Sequence, residues 1–260
     1  MSDPYFLSIL IFSPLLGIIV LAFMPKGLES SLRTVGFLAT LLPLVLAVIA
    51  FVQFDAGAGR FQFLTSVPWI EIGDADVTNS SLYIYYALGV DGLSLMLILL
   101  TTIIATLAAA ASVKVRQELK GYYMLFLLLE VGMLGVFASQ SLLLFFAFFE
   151  MTLVPTYFLI AKWGYRGRER AANTFLIYNG LGSAVMLIAF IVLFTQTGTM
   201  NIAKLQAIDF SQLPSSIPIS HPAFRYGLLF ALIVAFGVKL PIFPLHSWML
   251  QVHAEAPVPT

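Results

Sequence analysis

Hydrophobic residues along this chain come in long, nearly uncharged blocks. Seven blocks look able to cross a bilayer, at residues 5–24, 34–54, 88–113, 121–138, 141–162, 172–196 and 223–254. A helix needs about 20 mostly apolar residues to cross the hydrocarbon layer. The pattern predicts an all-α membrane protein, a polytopic bundle of transmembrane helices. The first block starts too close to Met1 for a signal peptide and lacks a basic leader and a small-residue cleavage site, so it predicts a retained helix. Segment 197–222 is polar with periodic apolar residues, and it predicts a short helix lying on the outer surface.

Composition supports the membrane reading. Hydrophobic residues make up 60% of the chain and charged residues 10%, against about 45–50% and about 25% in soluble domains. The net charge is zero, so no basic face points to nucleic acid. The absence of cysteine excludes disulfides, thiolate metal sites and cysteine-ligated iron–sulfur clusters within the chain. His221, His246 and His253 lack metal-ligand spacing. The run from Gly57 to Gln62 lacks the third glycine of a dinucleotide loop and reads as a flexible connection.

Charge then orients the spans. Loop 25–33 carries Lys26 and Arg33, loop 114–120 carries Lys114, Arg116 and Lys120, and loop 162–171 carries Lys162, Arg166, Arg168 and Arg170. Loop 55–87 carries Asp55, Glu71, Asp74 and Asp76 against Arg60. Basic loops stay on the cytoplasmic side, which places the N-terminus outside.

Three charges lie deep inside the blocks, away from their ends. In LLLFFAFFEMTLVP, residues 142–155, the ionisable residue is Glu150. It lies nine residues after Ser141, hence roughly 13 Å deep at 1.5 Å per residue, near the middle of the layer. Glu130 is nine residues beyond Gly121 in the preceding span, and only Ser139-Gln140-Ser141 separates the two helices, so they are antiparallel neighbours. A charge at mid-bilayer costs about 2.5–3.5 kcal/mol even on the lenient insertion scale. Such carboxylates face the protein interior, take up protons or meet a cation. Lys239 is the one charge in FALIVAFGVKLPIFPLHSWML, followed at once by Pro241 and Pro244. Proline removes a backbone donor and disfavours helix in its predecessor. The seventh helix is therefore expected to break between about Leu240 and Leu245. Broken helices are tolerated where protein or a wet cavity covers them, and in transporters they mark ion sites. His246 and His253, seven apart, fall on one face of a continuing helix and can exchange protons near neutral pH. Glu150 and Lys239 are expected to face each other, directly or through one water. Burial favours a neutral lysine and a nearby carboxylate favours a charged one, so a Glu–Lys pair that opens and closes moves protons.

Bland readings stand beside these. Glu130 also fits a structural hydrogen-bonding group, His246 a satisfied helix-end residue, and the phenylalanines around Glu150 lipid contact and packing. Asp91, in GVDGLSL, fits a helix cap as well as a proton entry.

The segments GVDGLSL, LLLEVGMLGVF, LLLFFAFFEMTLVPTYFLIAKWG, FLIYNGLGSAVMLIA and GVKLPIFPLHSWMLQVHAEAPVP resemble, in the same order, the antiporter-like membrane subunits of proton-pumping NADH:quinone oxidoreductase (respiratory complex I), specifically the subunit M or mitochondrial subunit 4 type. The resemblance implies that Glu150 is the fifth-helix glutamate of the pump, Lys239 the lysine of the broken helix, Glu130 a fourth-helix glutamate, and His246 and His253 proton relays. It implies a subunit of a translocating enzyme without a redox or nucleotide site or cofactor of its own. Flavin, iron–sulfur clusters and quinone then belong to partner subunits. The expected partners are the other membrane subunits of complex I, neighbouring antiporter-like subunits included, together with the lipid bilayer, and the expected location is the bacterial cytoplasmic membrane. Family members have about fourteen helices, built partly as two inverted repeats. By that pattern residues 1–113 are the three N-terminal helices, residues 114–260 an incomplete first repeat, and the chain a fragment without the second repeat. Subunits of multi-subunit sodium/proton antiporters share the glutamate and the broken-helix lysine and are the alternative. A membrane scaffold whose charges only pair helices is the other competing reading.

Overall fold

The computed structural model describes residues 5–25, 27–55, 57, 61–72, 82–115, 117–210 and 217–257. Lys26, Gly59, Arg60, Asp74, Asp76 and Arg116, and the Lys114 side chain, lie outside the described residues. The elements are α1 (Phe6–Phe23), α2 (Glu29–Gln53), β1 (Gln62–Ile72), β2 (Leu82–Val90), α3 (Gly92–Ala111), α4 (Leu119–Ala138), α5 (Leu142–Trp163), α6 (Arg168–Thr197), α7 (Ile202–Ala207), α8 (Pro222–Lys239) and α9 (Ser247–Glu255). Seven helices, α1 to α6 and α8, are long and apolar enough to cross a membrane. They coincide with the seven expected blocks, and the break in the seventh falls where Pro241 and Pro244 put it.

One segment differs from the sequence reading. The acidic loop 55–87 contains an antiparallel hairpin, β1 with β2, whose register slips between Gln62 and Thr65 and again between Pro68 and Ile70. Leu88 to Val90, expected at the start of the third span, are its last residues. Aromatic and β-branched residues dominate LYIYYALGV and favour strand, and because they are also apolar, strand and helix run together in the sequence as one hydrophobic block. Asp91 then caps α3: its carboxylate accepts from the Ser94 N–H at 2.8 Å. The outer-surface helix is short, six residues of α7, capped by the Asn201 side chain accepting from Lys204 N at 3.0 Å.

Each end of the bundle is tied by its own contacts. At the outer end β2 bridges to Ser139, Ser141 bridges to Asn201, and the Gln140 amide donates to Gly89 O at 3.0 Å. The hairpin also reaches α1, where Ser8 and Tyr86 share a hydrogen bond of 3.0 Å. At the inner end Lys120 donates to Ala22 O and Met24 O, Arg33 to Val115 O, and Lys162 pairs with Glu118. The basic residues described in the connections after α1, α3 and α5 share this end, the one the positive-inside rule assigns to the cytoplasm.

Lipid tails are as apolar as leucine, so helices in a bilayer associate through close packing rather than through burial from water. Small residues supply the closeness. A Cβ on Gly36 of α2 would lie 2.3 Å from the Tyr123 ring of α4, and one on Gly135 of α4 would lie 2.2 Å from the Phe148 ring of α5. Where Pro14 in α1 cannot donate to Leu10 O, the neighbouring Ser13 hydroxyl does, at 2.8 Å, so that carbonyl keeps a partner inside the layer.

Overpacking a filled interface costs about 1–3 kcal/mol. Gly135→Val should therefore lower the melting temperature of the detergent-purified protein by several degrees. Gly180→Ala, on a position with nothing within 4 Å, should leave it unchanged or slightly raised. Equal melting temperatures for the two variants would show that the α4–α5 contact is not set by Gly135.

Candidate functional site

The backbone of the seventh span explains its own interruption. Pro241 has no N–H for Gly237 O, and that carbonyl instead takes the Ile242 N–H at 2.8 Å. The shift by one residue leaves Val238 O without its usual donor, and the indole N–H of Trp248 fills the place at 2.8 Å. Trp248 is buried against Phe175 of α6. The first residue of α9 is Ser247, so the break spans residues 240–246. The far end of α9 is pinned as well: Gly167 N and Tyr165 N, in the turn between α5 and α6, donate at 2.8 Å to the Glu255 carboxylate and backbone oxygen. The half-helix past the break is thus held by α6 at one end and by the α5–α6 turn at the other.

Lys239, the last residue of α8, points its ammonium group at α5. It lies 3.4 Å from the centroid of the Phe149 ring and 3.5 Å from both Phe149 O and Thr152 Oγ1. The two oxygen contacts are at the long limit for a hydrogen bond, so the ammonium is cradled rather than locked. Its partners stand one residue before and two after Glu150. No ion pair within 4.0 Å joins Glu150 to Lys239 among the described residues; those found are Arg33–Glu29 and Lys162–Glu118, both at the inner end. Glu150 lies between the two oxygen contacts of Lys239 along α5. Its Oε1 is buried without a hydrogen-bond partner.

The other expected residues are placed less centrally. Glu130 is fully buried with both carboxylate oxygens unpartnered. At 100° per residue it stands about 160° round α4 from Gly132, the residue that meets Thr152 of α5. It shares instead the face of Tyr123, seven residues earlier, which packs on Gly36 of α2. Adjacent helices therefore do not bring the two glutamates together. His246 precedes α9 as its N-cap residue rather than lying within the helix. Its Nδ1 is buried and unpartnered and its ring is 5.6 Å from that of Phe243. His253, in the last turn of α9, is exposed.

Thr152, which the sequence reading did not single out, joins the site through Lys239, and two further polar residues that it passed over, Asn179 and Ser183, lie buried on the neighbouring helix. Asn179 and Ser183 are 1% and 4% exposed, on α6, and their Oδ1 and Oγ have no hydrogen-bond partner. The signal was present, since Asn179 and Ser183 interrupt the apolar span FLIYNGLGSAVMLIA, but an uncharged polar residue in a span costs too little to stand out. Among the described residues no cluster of three His, Asp or Glu side chains is placed to hold a metal ion.

A helical membrane bundle with a lysine at a helix break, set against a helix that carries a half-buried glutamate, is the arrangement expected of the antiporter-like membrane subunits. Residues 139–260 match the family described as NADH:quinone oxidoreductase/Mrp antiporter, TM. The chain is 36% identical over 252 residues to NADH-ubiquinone oxidoreductase chain 4 of Prototheca wickerhamii, covering 94% of this chain and 46% of that protein. It is 33% identical over 258 residues to NADH-quinone oxidoreductase subunit M of Rhodobacter capsulatus, covering 96% of this chain and 48% of that protein. A chain of respiratory complex I from Thermus thermophilus with bound NADH superposes with a TM-score of 0.75 at 26% identity, over 96% of this chain and 47% of that one. This chain belongs to the antiporter-like membrane subunits of the chain 4 or subunit M type, and it spans about half the length of the curated relatives it matches.

A buried carbonyl left without a donor costs about 1–3 kcal/mol. Trp248→Phe, which keeps the ring packing but removes the N–H, should destabilise the purified protein by that amount and speed hydrogen exchange across residues 236–245. An unchanged exchange rate there would show that the indole does not hold the break.

Proposed function

We propose that this chain is a proton-translocating membrane subunit of an NADH:quinone oxidoreductase, moving protons along an axis of Glu150, Lys239, His246 and His253, with Glu130 as a further station. The observation that carries the reading is Lys239, set at the helix break and held only loosely by Phe149 O and Thr152 Oγ1 beside Glu150. An ammonium so cradled is kept charged by a nearby carboxylate and discharged when that carboxylate moves or is neutralised, because burial disfavours the charged form. Repeated, the cycle passes protons. The energy comes from NADH oxidation by flavin and iron–sulfur clusters and from quinone reduction in partner subunits, and this chain contributes no cofactor. Its partners are the other membrane subunits, neighbouring antiporter-like ones included, in a bacterial cytoplasmic membrane. Residues 1–113 form an N-terminal helical module and residues 114–260 the first part of the antiporter-like repeat.

In the full-length subunit assembled with its partners, Glu150→Ala and Lys239→Met should each reduce NADH-driven proton uptake at least tenfold. Coupled quinone reduction should slow with it. Glu150→Asp keeps the charge on a shorter arm and should retain part of the activity. Glu71→Ala, on an exposed strand residue, should be nearly silent, because solvent screens its charge from the buried lysine. The measurements are proton uptake and NADH oxidation in membranes with equal amounts of assembled complex. Unimpaired uptake in assembled Glu150→Ala would leave the glutamate a purely structural group.

A further inference from the structure

The outer end of α8 carries one charge into an apolar groove. A cavity of about 370 Å³ opens there between α6 and α8, walled by Arg225, Tyr226, Leu229 and Leu232 of α8, by Leu193 of α6 and by Phe210. A second cavity of about 380 Å³ shares Leu193, Phe210 and Leu232 with it and extends to Phe145 of α5, Leu205 of α7 and Phe236 of α8. At 100° per residue, Leu229, Leu232 and Phe236 fall within about 40° of Arg225 round α8. From Arg225 to Phe236 is about 17 Å at 1.5 Å per residue. The groove is therefore one continuous stripe, with a cation at its outer rim and hydrocarbon side chains below.

The cation sits where a membrane meets water. Arg225 is in the first turn of α8, about 21 Å from Lys239 along the helix. At such a level an arginine lays its stem on apolar surface and keeps its head at the interface. The Nε of Arg225 is buried and has no hydrogen-bond partner. Among the described residues no ion pair within 4.0 Å reaches it; those found lie at the inner end. A guanidinium stays charged, and its planar fork of donors fits a phosphate. No aspartate or glutamate lines either cavity, so an amine-bearing headgroup would find no carboxylate there. Water is a poor occupant, because an apolar cavity does not offer the two to four polar partners that a water needs. The occupant that fits carries an anionic head and a long apolar tail. In a bilayer that is a phospholipid.

We propose that the groove is a site for a net-anionic phospholipid of the outer leaflet. Its phosphate pairs with Arg225, and one acyl chain lies along Leu229, Leu232 and Phe236 against α6 and α7. Lipid over a plain apolar face is held without headgroup preference, whereas the cation at the rim supplies one here. The site is independent of the Glu150–Lys239 reading.

The test uses the full-length subunit in its assembled complex, reconstituted with phosphatidylglycerol that carries a photoreactive group in its acyl chain. Cross-links located by mass spectrometry are expected on the 225–236 stretch of α8 and on α6 near Leu193. Excess phosphatidylglycerol should compete them away, and excess phosphatidylcholine should not. Arg225→Gln should lower this labelling about fivefold, the effect of one basic residue on an anionic lipid, while Arg225→Lys should keep most of it. Leu232→Trp fills the groove and keeps the charge, and it should lower the labelling too. Labelling elsewhere on the complex should be the same in every variant. The competition needs no variant, so it decides even where a substitution perturbs the fold. Labelling of α8 displaced equally by both lipids, or unchanged in Arg225→Gln, would show lipid cover without a site and overturn the proposal. A map of the complex with a protein segment lying in the groove would overturn it as well.

Discussion

A polar group inside the hydrocarbon layer has to find a partner, because no bulk solvent is there to replace one. That constraint acts twice in the seventh span. Two prolines withdraw backbone donors and a lysine adds a charge, all within six residues. The bundle answers the first demand with the Trp248 indole and a shifted backbone bond. It answers the second with the face of Phe149 and two oxygens of α5. The rest of the structure positions these answers. Trp248 reaches Val238 O because its ring packs on Phe175, and α9 stays in place because Glu255 is tied to the α5–α6 turn.

The two ends of the protein have different mechanical characters. The outer end is clasped by backbone: the hairpin, the α4–α5 turn and α7 exchange main-chain bonds. The inner end is tied largely by long charged side chains, such as Lys120 to the end of α1 and Lys162 to Glu118, which are exposed and hold less rigidly. Between them the helices touch through small residues. Gly135 and Gly132 bring α5 close enough to α4 for Thr152 to stand between Gly132 and Lys239. The same threonine thus serves helix packing and the lysine cradle.

The two intramembrane glutamates take different surroundings from the same kind of sequence: Glu130 is buried and Glu150 half-buried. Glu150 lies on the α5 helix that cradles Lys239. Glu130, on the neighbouring helix, turns to the face shared with Tyr123 and the N-terminal module. Both are carboxylates nine residues into an apolar run, and depth alone does not separate them. The angle round the helix does, and that angle is fixed by which face carries the glycines.

Read alone, the sequence determined the membrane class, the seven spans, their orientation and the position of the break. These rest on local physics: apolar length sets a span, basic loops stay inside, and proline cannot donate. It also marked Glu150 and Lys239, because a charge in a span is too costly to be incidental. The hairpin at 62–90 was legible only weakly, since β-strands show themselves by pairing and not by apolar length. Tertiary structure alone decided that Glu130 faces away from Glu150, that His246 precedes α9 instead of lying within it, that Thr152 touches Lys239, and that Asn179 and Ser183 are buried with unpartnered oxygens. Those facts depend on helix rotation and on contacts between residues tens of positions apart. A neutral polar side chain carries too small a transfer penalty to announce itself until its neighbours are seen.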